Sequence, residues 1–63
     1  MRYAVRFTDS FGYTFLGGAY YTDKAAACDA CRGYRLKMNR TGLVMPVGPG
    51  GAAVVTNMVV VAV

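Results

Sequence analysis

A chain of 63 residues has room for one domain, and a domain this short buries only about 60% of the surface its unfolded form exposes, so marginal stability is expected. A hydrophobic fraction of 56%, with five Tyr and three Phe, excludes a disordered tail and supplies material for a core. Seven Lys and Arg against three Asp give a net charge of +4, which favours acidic partners such as nucleic acid, an anionic surface or an acidic protein groove, and also serves solubility.

The first element is a strand. Arg2 to Thr8 alternates, with Tyr3, Val5 and Phe7 on one side and Arg2, Ala4, Arg6 and Thr8 on the other, the period of a half-buried strand. Asp9-Ser10-Phe11-Gly12 has the residues of a turn, since Asp and Ser bond their own backbone and Gly accepts a positive φ. A second strand follows from about Tyr13 to Leu16, and Gly17-Gly18 marks a bulge before Ala19-Tyr20-Tyr21.

Thr22 has the chemistry of an N-cap, Asp23 places negative charge in the first turn, and Ala25-Ala26-Ala27 is the strongest helix-forming run. Ala27, Cys31, Tyr34 and Met38, with Ala30 beside them, recur at helical spacing, so a helix reaching about Met38 can lay one stripe on a sheet. The alternative ends the helix at Gly33 as a C-cap and makes Tyr34 to Met38 an extra strand turning at Asn39–Gly42. The unbroken stripe favours the long helix.

Leu43 to Val47 reads as a strand that Pro46 confines to an edge or ends early. Gly48-Pro49-Gly50-Gly51 is a loop; it lacks the Lys-Ser/Thr of a phosphate-binding loop and leads into a strand. The segment from Ala52 to Val63 is rich in β-branched residues and is a final strand, bent near Thr56-Asn57. At about 12 residues its apolar stretch is short of the roughly 20 a membrane helix needs. The expected fold is a small α+β two-layer sandwich of order ββαββ, a single domain over residues 1–63 with one helix on one face of an antiparallel or mixed sheet.

In that last strand both alternating sets are apolar: Met58, Val60 and Ala62 on one side, Val59, Val61 and Val63 on the other. One helix covers one face, so the second set is expected to meet another surface: a homodimer partner through the open sheet face or edge, a different protein, or loop residues folded back across the sheet, with a partner molecule favoured. Met58, Val59, Val60, Val61 and Val63 are accordingly the expected partner interface.

Catalytic templates find little material. The chain has no His and a single Ser, Ser10, so no Ser-His or Cys-His pair assembles within one chain. Asp23 and Asp29 stand about 240° apart around a helix and do not form an acid/base pair. Cys28-Asp29-Ala30-Cys31 has the spacing of a dithiol or half a zinc site, but Cys28 lies inside the helix rather than at its N-terminus. Zinc would need Cys28 and Cys31 from each of two subunits. Cys31 as a small buried hydrophobe, with Cys28 on the flank, is the simpler expectation. The chain is thus expected to be non-enzymatic, without cofactor, and, since Met1-Arg2 leads into a strand rather than a signal segment, cytoplasmic.

Arg32, Arg35, Lys37 and Arg40 cluster around Tyr34. With Arg2 and Arg6 they form a candidate phosphate-contacting set, and Tyr20 or Tyr21 could stack on a base. Arg32-Gly33-Tyr34 opens like the sheet motif of RNA-recognition domains, but Arg35 stands where Gly or Ala belongs. A hairpin followed by Tyr20-Tyr21-Thr22-Asp23-Lys24-Ala25-Ala26-Ala27 is similar in layout to the short ββα accessory proteins of bacteriophages and mobile elements, and to integrase arm-binding domains. That resemblance, over roughly residues 2–38, implies a small factor binding DNA or a host protein. The expected function is a non-catalytic protein-interaction module of regulator or inhibitor type, with nucleic-acid binding as the alternative.

Overall fold

Phe7 sets the architecture. In the computed structural model, which describes all 63 residues, β1 (Tyr3–Asp9) is flanked on one side by β2 (Thr14–Leu16) and on the other by β4 (Gly51–Ala62). Phe7 sits opposite Phe15 on β2 and Met58 on β4. From the layer above, Tyr34 of α1 (Lys24–Thr41) meets the Phe7 ring edge-on at 5.2 Å, a favoured aromatic geometry. With β3 (Val44–Gly48) on the far side of β4, the sheet order is β2-β1-β4-β3 and every pair is antiparallel. This is the expected ββαββ two-layer fold, with its sheet antiparallel throughout.

The helix forms where the stripe places it and continues beyond Met38. Its N-cap is Asp23 rather than Thr22: the Asp23 backbone is extended (φ −114°, ψ 125°) and its carboxylate accepts a hydrogen bond from the Ala25 amide at 3.0 Å. A carboxylate adds favourable charge at the helix dipole's positive end, which a Thr hydroxyl does not. Gly33 lies in the helix interior, so the alternative extra strand does not form. The helix stops at Gly42, whose positive φ of 84° suits a residue without a Cβ, and the Gly42 amide closes on the Met38 carbonyl.

β4 is longer than either neighbour and serves both in turn. It pairs with β3 along Gly51–Val54 and with β1 from Val55 to Ala62. Thr8 pairs with Asn57 but Asp9 pairs with Val55, so Thr56 is an extra residue, a bulge at the expected bend. The Thr56 hydroxyl oxygen lies within hydrogen-bonding distance of the Thr8 and Asp9 carbonyls, 3.3 and 3.2 Å away. One extra residue reverses the side-chain alternation. Ala53 and Val55 point into the core before the bulge, and Met58 does so after it.

Only nine of the 63 residues are buried, and all but Ala4, which alternates to the opposite face of β1, make a thin core on the helix side of the sheet. Its centre is Val5, Phe7, Cys31, Leu43, Val55 and Met58, with Phe15, Tyr34, Met38, Met45 and Val60 packed around it. After Leu16, two residues more than regular pairing needs separate the Arg6–Leu16 pair from the Tyr3–Tyr21 bridge, which is the irregularity expected at Gly17-Gly18. Gly17 passes directly under Phe7: a Cβ there would lie 3.0 Å from the ring.

Replacing Gly17 with Ala therefore pushes on the central ring and should destabilise the domain by about 1–2 kcal/mol. Gly33→Ala, whose Cβ meets only open space, should stabilise by about 0.5–1 kcal/mol through helix propensity. Thermal melts of the two variants, followed by circular dichroism, should shift in opposite directions.

Candidate interaction surface

The sheet face turned away from the helix is assembled from cross-strand neighbours. Leu16, Arg6 and Val59 lie in one row across β2, β1 and β4; Ala4 and Val61 form a second row; Val44 and Val54 a third, across β3 and β4. Residues directly opposite on paired strands share a face, so these side chains line one surface. Leu16, Val44, Val54, Val59 and Val63 remain between 39% and 61% exposed, and Val61 is half-buried. Thr14, Thr8 and Asn57 form a polar row between Val54 and Val59, so the exposed aliphatic side chains stand in two groups on a sheet face that the helix does not cover.

The valines of the last strand divide as their alternation requires. Val59, Val61 and Val63 belong to the outer face, Val60 is half-buried against the core, and Met58 is 1% exposed beneath the helix. Met58 and Val60 belong to the expected partner interface, but after the phase change at Thr56 both turn toward the helix side, Met58 into the core and Val60 half-buried against it. Leu16, Val44 and Val54 were not expected in the site. Leu16 follows Phe15, and two adjacent apolar residues in a strand must point to opposite faces, a signal already present in the sequence.

Charge on this face is sparse and lies on β1, between its apolar neighbours. Arg6 stands between Leu16 and Val59. Arg2 precedes β1, with its guanidinium 5.9 Å from the centre of the Tyr20 ring, a cation–π contact. Arg32, Arg35, Lys37 and Arg40 lie in the other layer, on α1, so the sheet separates them from Arg2 and Arg6. At 100° per residue the helical cations fan out, with Arg35 and Lys37 on opposite flanks of the buried stripe. The six cations do not converge on one face.

Two of the helical cations already have partners. Arg32 pairs with Asp29 at 3.4 Å on the exposed side, worth little in solvent. Arg35 reaches down to the sheet, and its Nη2 donates to the Met58 carbonyl at 2.8 Å in a partly buried position. All three carboxylates are held by local structure. Asp9 accepts from the amides of Phe11 and Tyr13, Asp23 caps the helix, and Asp29 faces Arg32.

Cys31 is buried in the core and Cys28 is half-buried one turn earlier, both as free thiols. Tyr21 is half-buried and, with Val5, Phe7, Gly17, Ala19 and Tyr34, lines a small apolar recess. Tyr20 remains exposed. No helix is long and apolar enough to cross a membrane. Comparison with protein-family models, with curated proteins and with solved structures gives no match for this chain.

Replacing Arg35 with Leu removes a charged donor from a partly buried carbonyl and should cost about 1–3 kcal/mol in urea unfolding. Lys37→Leu, at an exposed position where the backbone carbonyl and not the side chain bonds to the Thr41 hydroxyl, should stay within about 0.5 kcal/mol of the parent.

Proposed function

We propose that this chain is a non-catalytic protein-interaction module that docks a partner on the outer face of its sheet. The observation that carries the reading is the set of Leu16, Val44, Val54 and Val59, all exposed on the face the helix does not cover, in two groups with the polar row of Thr14, Thr8 and Asn57 between them. Burying such a face removes apolar area worth about 25 cal/mol per Å² from water, and a core of nine buried residues leaves a domain this size with little else to contribute. Arg6, between Leu16 and Val59, and Arg2, just before β1, favour a partner that carries a carboxylate among its apolar contacts, and steer its approach. Occupying a partner's surface in this way suits a small regulator or inhibitor, as the layout of phage and mobile-element accessory proteins implies.

Nucleic-acid binding would draw on Arg32, Arg35, Lys37 and Arg40, and the fan of these side chains around α1 favours the protein partner over it. The two readings respond to different changes. Immobilised protein challenged with nuclease-treated host extract should retain one protein species in near-equimolar amount, insensitive to moderate salt. A Leu16→Ser/Val54→Ser variant of unchanged melting temperature should lose it. If retention instead requires DNA or RNA, falls steeply between about 50 and 200 mM salt, and flattens with Arg32→Gln/Arg35→Gln, phosphate binding is the function and the docking face is wrong.

A further inference from the structure

The edge of β4 past the end of β3 is open, and its hydrogen-bonding pattern specifies what fits it. Arg2, Ala4, Arg6 and Thr8 turn their backbone groups toward β4, because Tyr3, Val5 and Asp9 bond toward the β2 side, to Tyr21, Gly17 and Tyr13. Their partners Val63, Val61, Val59 and Asn57 therefore face β1, as the bond from the Val63 amide to the Arg2 carbonyl shows. Met58, Val60 and Ala62 consequently turn their amides and carbonyls the other way.

On that side β3 has already ended: its pairing stops at Val54, and the last contact is the Val55 amide on the Leu43 carbonyl. Arg35 occupies the Met58 carbonyl. The amides and carbonyls of Val60 and Ala62 have no partner within the chain. They form a notch bounded at one end by Arg35, and only an extended strand satisfies donors and acceptors in that order.

We infer that this notch takes the same segment of a second copy, β4 pairing antiparallel with β4 across a two-fold axis at Val61. In that register Val60 of each copy stands opposite Ala62 of the other, and each free donor meets a free acceptor, about four bonds in all. Val59 pairs with Val63 and Val61 with itself, so three valines from each copy form a continuous row on the outer face. Met58 to Val63 contains no charged residue, so the net charge of +4 on each copy is not brought together at the seam. The paired stretch runs from Val59 to Val63, so Met58 keeps its bond from Arg35 and Val55 its bond to Leu43. Five paired residues make a seam roughly 17 Å long and one strand wide, a smaller contact than the roughly 800 Å² per partner of tight complexes. Association is therefore expected at micromolar rather than nanomolar concentration.

This inference uses the strand edge and not the outer face, so the two readings fail separately. Analytical ultracentrifugation from low micromolar to several hundred micromolar should show a reversible dimer. The Leu16→Ser/Val54→Ser variant should keep that dimer, while Ala62→Pro, which removes an outward amide, should weaken it at least ten-fold with an unchanged circular dichroism spectrum. Cysteine cross-linking with peptide mapping fixes the register even where Ala62→Pro fails to fold. In this pairing the Val61 Cα atoms lie about 4.5 Å apart, within disulfide reach. Val61→Cys should cross-link to itself, and Val59→Cys should cross-link to Val63→Cys but not to itself. A strictly monomeric protein at the highest concentration, an Ala62→Pro variant that dimerises as the parent does, or Val61→Cys chains that remain uncoupled would each overturn the proposal.

Discussion

Everything in this domain is arranged around one aromatic ring. Phe7 touches a neighbouring strand on each side, through Phe15 and Met58, meets the helix through Tyr34, and has Gly17 passing beneath it. The Phe15–Gly17 stretch, the helix and β4 all meet at a single fully buried side chain. A protein with so few buried residues cannot distribute that role. The close passage of Gly17 follows from it, since the strand leaving β2 must clear the ring before Tyr21 rejoins β1.

The one-sidedness of the core has a direct consequence for function. A single helix can dry one face of a four-stranded sheet, and the β-branched residues that make β4 a strand then necessarily decorate the other face as well. Thr56 shapes that outcome. By adding one residue between Val55 and Met58 it sends Met58 inward under Phe7 and leaves Val59, Val61 and Val63 outward. The same twelve-residue strand thus supplies the core, the open face and, where β3 falls short, a free edge. Arg35 joins the layers at that edge: a cation expected to contact phosphate instead holds a strand carbonyl where the neighbouring strand has run out.

Much of the architecture was legible residue by residue. Alternation from Arg2 to Thr8, the spacing of Ala27, Cys31, Tyr34 and Met38, and the Asn57 bend each depend on contacts within a few positions, and periodicity reports them directly. The helix also runs through Gly33, as the unbroken stripe implied. Less legible was the N-cap, where Thr22 and Asp23 both have the chemistry and the choice lies in the backbone angle at Asp23. The candidate surface was half visible: Val59, Val61 and Val63 stood out, but Leu16, Val44 and Val54 join them only through strand pairing.

By itself the amino-acid sequence determined the kinds of element, their order, the lack of histidine and the apolar excess of the last strand, because these follow from composition and local spacing. Tertiary structure alone decided that β4 lies between β1 and β3, that Met58 is core and Val59 is surface, that the six cations divide between two layers, and that Val60 and Ala62 keep unpaired backbone groups. Those outcomes depend on which strands pair and in what register, and register is set by long-range packing around Phe7 that no short window of residues encodes.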